Sequence, residues 1–188
     1  NSSRNTKITA NQLGNTGDVS GSGNYVGGIA GYSEYQLTET MSTLTNSGDI
    51  TGLDSVGGIF GIAYNVYYNQ SYNTTTPRVL NYVDFTNSGA IVGNNKVGGL
   101  IGYIYMRGSN YNSDAESEFN KDTTEGNYYI LYVTNAVNSG AVTGQSAVAG
   151  IFGHVYTDTA NSTLYSYTQT GVVSGEQVVG TSENFTIQ

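Results

Sequence analysis

A glycine-punctuated unit returns five times along this chain at fixed internal offsets, and repeats of this kind dictate architecture before any local preference does. The anchors are Asn15-Thr16-Gly17, Asn46-Ser47-Gly48, Asn87-Ser88-Gly89 and Asn138-Ser139-Gly140, with a degenerate fifth at Gln169-Thr170-Gly171. Successive anchor glycines are 31, 41, 51 and 31 residues apart. A second glycine follows each anchor by four residues, at Gly21, Gly52, Gly93, Gly144 and Gly175. Midway between the two sits a β-branched residue: Val19, Ile50, Ile91, Val142 and Val173. A further valine follows at Val26, Val56, Val97, Val148 and Val179.

Short apolar segments bounded by glycine read as strands and turns. The first glycine of each copy suits a turn that needs positive φ, after an Asn or Ser that can bond its own backbone. The second glycine ends the strand, and the valine opens the next one. That next strand reads Val26-Gly27-Gly28-Ile29-Ala30-Gly31, Val56-Gly57-Gly58-Ile59-Phe60-Gly61, Val97-Gly98-Gly99-Leu100-Ile101-Gly102 and Val148-Ala149-Gly150-Ile151-Phe152-Gly153. In the fifth copy, Gly180-Thr181 replaces the Gly-Ile pair, as a capping repeat would. Alternation puts Val56, Gly58 and Phe60 on one face and Gly57, Ile59 and Gly61 on the other. Both faces then carry bulky groups, and a second covering layer is expected.

The Gly-Ile-Phe-Gly and Gly-Leu-Ile-Gly segments that follow Asn-Ser-Gly-x-Val/Ile-x-Gly resemble the GLUG motif of bacterial surface and secreted proteins. The likeness covers about half of each copy. It implies a repeat fold in a cell-surface, adhesin-like setting and brings no catalytic residues with it.

All growth in repeat length falls between the Gly-x-x-Gly strand and the next Asn-Ser-Gly. Ala63-Tyr64-Asn65-Val66-Tyr67-Tyr68 leads out and Arg78-Val79-Leu80-Asn81-Tyr82-Val83 leads back. In the next copy Tyr103-Ile104-Tyr105-Met106 leads out and Tyr128-Tyr129-Ile130-Leu131-Tyr132-Val133 leads back. Such pairs read as antiparallel arms closed by polar tips at 69–77 and 107–127. The expected fold is therefore all-β: a β-solenoid, parallel β-helix-like, of five repeats with antiparallel β-hairpin arms projecting from one side. A single repeat domain spans 1–188, with repeat cores near 15–31, 46–61, 87–102, 138–153 and 169–185 and arms over 62–86 and 103–137.

Most of the 17 tyrosines fall in the arms. A tyrosine joins a large apolar body to a polar tip, so a row of them can cover a bare strand, stack on sugar rings or meet a neighbouring subunit. Covering the Gly-Gly strip is the simplest of these roles. Tyr64, Tyr67, Tyr68, Tyr103, Tyr105, Tyr129 and Tyr132 form the expected interaction surface.

Composition narrows the function. Only 11% of residues are charged, against roughly 25% in a typical soluble domain. The net charge of −8 leaves too few cations for nucleic-acid phosphates. The absence of cysteine removes thiol chemistry, Cys-ligated zinc and disulfides. No apolar run approaches the roughly 18 residues of a membrane-spanning helix. The chain opens on Asn1 rather than Met, as a processed chain or an excised fragment does.

The single histidine, His154, stands where other copies hold Tyr32, Ile62 and Tyr103, a strand slot rather than a catalytic one. The alternating polar and acidic residues Asn110, Asn112, Asp114, Glu116 and Glu118 superficially suggest a calcium loop. Ala115 stands where that loop needs glycine and Lys121 where it needs glutamate. Gly27-Gly28 and its copies precede no helix, so they are packing glycines rather than a phosphate loop. No carboxylate pair stands out for glycoside cleavage. Sequons at Asn1, Asn69, Asn73, Asn161 and Asn184 are no more than this composition supplies.

No catalytic, cofactor or metal residues are expected. The reading is an extracellular structural or adhesive protein that associates with itself through open strand edges. The alternative is a carbohydrate-binding surface module that takes glycans on its tyrosine arms. Segments 6–11 and 184–188 read as incoming and outgoing terminal strands available for such pairing.

Overall fold

The computed structural model describes residues 11–35, 39–68, 78–109, 129–157, 162–165, 168–169, 179–183 and 185–187. All of its regular elements are strands, and every strand pairing among the described residues is parallel. The strands form four sheets. The first runs from Asn11–Asn15 through Glu39–Asn46, Arg78–Asn87, Tyr129–Thr134 and Ser162–Tyr165 to Phe185–Ile187. The second stacks Val19–Ser20, Ile50–Thr51, Ile91–Val92 and Val142–Thr143. The third stacks Val26–Gly27, Asp54–Gly57, Asn95–Gly98 and Ser146–Ala149. The fourth stacks Ala30–Tyr35, Phe60–Tyr68, Ile101–Ser109, Phe152–Thr157 and Val179–Glu183. Each of the first four sequence copies contributes to each sheet in turn, a progression compatible with a β-solenoid. The fifth-copy residues Val173 and Gly175 lie outside the described residues, as do 6–10 of the expected incoming strand.

Register follows the repeat. Val19 pairs with Ile50, Ile50 with Ile91 and Ile91 with Val142. Val26, Val56, Val97 and Val148 align likewise in the third sheet. These two ranks face each other and, with Val19 alongside, form a small buried cluster. A larger cluster lies between the first and fourth sheets, among them Leu44, Phe60, Leu80, Phe85, Ile104, Met106, Leu131 and Phe152. Within it Tyr82 stacks on Phe85, ring centroids 5.0 Å apart. Each such side chain stabilises the fold by about 1.5–3 kcal/mol when taken fully from water.

The chain crosses between the two clusters twice per turn, once at the anchor Asn and once at the Gly-Gly pair. These crossings touch. Asn15 Nδ2 donates to Asn46 Oδ1 at 2.7 Å, Asn46 Nδ2 to Asn87 Oδ1 at 2.7 Å, and Asn87 Nδ2 to Asn138 Oδ1 at 2.8 Å. Each Nδ2 also donates to the carbonyl two residues on, as Asn87 does to Gly89 at 2.8 Å. Asn46, Asn87 and Asn138 are buried, and these bonds spend both amide hydrogens of Asn46 and of Asn87. A Cβ on Gly28 would stand 2.6 Å from Asn46 Oδ1, and one on Gly58 2.7 Å from Asn87 Cγ. The second glycine of each pair is thus the space the amide column occupies.

Four expectations change. The anchor glycines Gly17, Gly48, Gly89 and Gly140 do not take left-handed φ. Gly48, Gly89 and Gly140 are required instead by close approach: a Cβ on Gly48 would collide with the Gly17 carbonyl, one on Gly89 with that of Gly48 and one on Gly140 with that of Gly89. Among the described residues, the left-handed non-glycine positions fall in two ranks, Gln12, Thr43, Asp84 and Asn135, and Tyr25, Ser55, Lys96 and Ala147. The Val-Gly-Gly-Ile segment is not one strand covered on two sides, because it bends at Gly58-Ile59. The bend turns Val56 into the small cluster and Ile59 and Phe60 into the large one, so no second layer is needed.

The antiparallel arms are also corrected. Tyr103, Ile104 and Tyr105 pair in parallel with Ile62, Ala63 and Tyr64, and Tyr129 to Thr134 pair in parallel with Arg78 to Val83. Outgoing strands stack on outgoing strands, and returning strands on returning ones. The reason is burial: Ile104 and Met106 from one sheet and Leu80, Leu131 and Val133 from the other share one core. A hairpin would pair the two halves edge to edge and leave that face wet. Residues 69–77 and 110–128, which include nearly all of both tips, lie outside the described residues.

In the fifth copy, Val179 pairs with Phe152 rather than aligning with Val148. Gly180 thereby takes the register of Gly153, where a Cβ would stand 2.5 Å from Lys96 C and Val97 N of the rung below. The outgoing strand Phe185–Ile187 pairs in parallel with Ser162–Leu164.

Gly58→Ala should therefore destabilise the fold by about 3 kcal/mol through forced overpacking. Gly23→Ala, with no atom within 4 Å of the added methyl, should stay within about 0.5 kcal/mol. Denaturant midpoints of the two variants measure the difference.

Candidate interaction surface

The outer face of the fourth sheet carries a column of aromatic rings. Counting from the last glycine of each Gly-x-x-Gly segment, the third residue is Tyr64, Tyr105 and Tyr156 in three successive copies. In-register parallel pairing sets these side chains one above another. Tyr64 and Tyr105 stack with centroids 4.9 Å apart and planes 12° apart, and Tyr105 and Tyr156 with 4.9 Å and 19°. The separation matches the roughly 4.8 Å between neighbouring strands. Glu34 and Glu183 hold the register positions before and after this column.

A second column stands beside it. Tyr103 lies 5.0 Å from the His154 ring and edge-on to Tyr105 at 5.8 Å. The Lys96 ammonium sits 4.0 Å above the Tyr103 ring, a cation–π contact worth about 0.5–1 kcal/mol at an exposed site. Tyr32 extends the surface toward the N-terminal rung, 5.8 Å from Tyr64 and 6.0 Å from Tyr25.

Of the tyrosines expected from sequence, Tyr64, Tyr103 and Tyr105 come together here, all half-buried. Tyr132 lies on the first sheet instead, 41% exposed. Tyr67 and Tyr68 continue the fourth-sheet strand and Tyr129 begins a first-sheet strand, but their side chains lie outside the described residues. Tyr25, Tyr32, Lys96, His154 and Tyr156 complete the surface and were not singled out for it. The count from the last glycine marks most of them, since the first residue after it is Tyr32, Tyr103 and His154.

The expected role of the tyrosines over the Gly-Gly strip does not hold. Backbone of the adjacent rung and the asparagine amides fill that strip. The ring faces of Tyr64, Tyr105 and Tyr156 are instead spent on one another. Among the described residues, no three His, Cys, Asp or Glu side chains cluster as metal ligands do. The acidic run 110–118 lies outside the described residues.

No family model, curated protein or solved structure matches this chain.

Partial burial, followed by the Glu34 carboxylate, pushes the Tyr32 phenol up to about 12 from its ordinary 10.0. Folding thus favours the protonated phenol. That contribution is complete below pH 10 and is lost as pH rises through about 12. The ultraviolet titration difference between the chain and its Tyr32→Phe variant should show one phenol ionising near 12. Glu34→Gln should lower that value without restoring it to 10.0, because burial remains.

Proposed function

We propose that this chain is a non-enzymatic, extracellular structural or adhesive repeat protein that joins further copies of itself through the open strands of its terminal rung. One observation carries the reading. Asn11–Asn15, Val19–Ser20, Val26–Gly27 and Ala30–Tyr35 are the end strands of all four sheets. Several of their side chains are wet where those of the next rung are dry: Leu13 is 45% exposed, while its register partner Leu44 is 0%. Asn15 and Val19 are likewise half-exposed above the buried Asn46 and Ile50. An incoming rung of the same sequence would bury all of them and continue the amide column.

Unpaired strand edges are templates for more chain, and proteins that do not use them block them with charge or proline. The first-sheet edge strand, Asn-Gln-Leu-Gly-Asn, has neither. The motif resemblance to GLUG repeats agrees with a surface setting. A glycan-binding role draws less support, because stacking on sugar needs an open ring face and the central tyrosines present edges.

Sedimentation velocity and electron microscopy over a range of concentrations test the reading. End-to-end oligomers should grow with concentration, and Leu13→Lys should hold the chain monomeric with its fold intact. A chain that stays monomeric throughout, or assembles equally well as Leu13→Lys, would refute it. Binding on a glycan array lost on Tyr132→Ala would favour the carbohydrate reading.

A further inference from the structure

The geometry points to a modification site: the column Tyr64, Tyr105 and Tyr156 is placed for oxidative coupling of neighbouring phenols into dityrosine, a covalent staple between rungs. This inference stands on the column alone and holds whether or not the chain self-assembles.

Coupling needs two phenoxyl radicals whose ring carbons ortho to oxygen can meet. Parallel, in-register strands meet this requirement by setting equivalent residues of successive rungs one above another. Tyr64, Tyr105 and Tyr156 leave their strands in the same direction from matched positions, so their hydroxyl ends lie side by side. The rings are nearly parallel, at 12° and 19°, with centroids 4.9 Å apart. They sit half-buried on the outer face. An oxidant can therefore draw electrons from the outer edge, and the solvent side leaves room for the rings to turn out of the stack as the bond forms.

The neighbouring contacts are poorer. Tyr32 is tilted 30° to Tyr64 at 5.8 Å, and Tyr103 meets Tyr105 edge-on at 85°. Tyr105 is the hub because it alone has a stacked tyrosine on each side.

The required co-reactant is a one-electron oxidant, such as a haem peroxidase using hydrogen peroxide. Each phenol gives up one electron and one proton. The two radicals join through a carbon–carbon bond between ortho positions, and the two ortho hydrogens shift to oxygen to restore both phenols. The two electrons and two protons reduce one hydrogen peroxide to two waters. In a chain without cysteine, such a bond does what a disulfide does: it closes a long loop and restricts the unfolded chain. It would join positions 64 and 105, or 105 and 156.

The test treats the dilute purified chain with peroxidase and hydrogen peroxide. Blue dityrosine fluorescence measures yield, and mass spectrometry of the digest identifies the linked residues. The expected result is a monomeric product whose main cross-linked peptides join Tyr105 to Tyr64 or Tyr156, with a raised denaturation midpoint. Tyr105→Phe keeps the stack but removes a coupling partner, so most intrachain dityrosine should disappear, whereas Tyr132→Phe should change nothing. If Tyr105→Phe fails to fold by circular dichroism, Tyr64→Phe should redirect coupling to the 105–156 pair, and Tyr156→Phe to the 64–105 pair. Absence of dityrosine, predominantly intermolecular links, or unchanged pairing in the folded variants would overturn the assignment.

Discussion

The rest of the structure depends on the contact between an asparagine side chain and a glycine that has none. The column through Asn15, Asn46, Asn87 and Asn138 runs along the stack and is buried at Asn46, Asn87 and Asn138, where water cannot satisfy an amide. An unpartnered buried amide costs about 1–3 kcal/mol. Each asparagine meets this demand by bonding its own turn and a neighbouring rung. The column fits only because Gly28, Gly58 and Gly99 leave no side chain in its way. Polar satisfaction and backbone approach are therefore one constraint. It pins register, since a shift of one residue would put a Cβ against an amide and strand several donors together.

Once the register is pinned, the remaining ranks follow. Val26, Val56, Val97 and Val148 fill the small core, and Phe60, Ile101 and Phe152 the large one. The insertions then lengthen two facing parallel sheets rather than adding a separate arm. This accounts for how intervals of 31, 41 and 51 residues coexist in one stack. The extra length goes into strands that pair with their equivalents in neighbouring rungs, and into the tips. The aromatic columns are a surface consequence of the same register. One local mismatch remains: Asn65 is buried with its Nδ2 unpartnered, in register with Met106.

The core was legible in the sequence because its residues recur at fixed offsets. Ile50, Ile91 and Val142 announce a strand rank wherever the chain places them. Strand direction in the insertions was not legible, because period-2 alternation is the same for a hairpin and for parallel stacking. Only the burial of Leu80 and Leu131 against Ile104 decides between them. The left-handed corners were hidden because Gln12, Thr43, Asp84 and Asn135 share a backbone conformation but no common residue type, and none is glycine. The fifth copy misled because Val-Gly fits both the start and the end of the glycine-rich segment. The aromatic surface was half legible: Tyr64, Tyr103 and Tyr105 were found by their density, whereas Tyr156 and Tyr32 show only in a count from the last glycine of each segment.

The central claim is that a buried, continuous amide column holds the rungs in place. Hydrogen exchange of the asparagine side-chain amides, followed residue by residue by nuclear magnetic resonance, tests it most directly. The Nδ2 protons of Asn46, Asn87 and Asn138 should exchange only with global unfolding, as slowly as the backbone amides of Ile50 and Ile91. Exchange of Asn87 at the rate of an exposed asparagine, in a folded chain with protected strands, would contradict the account.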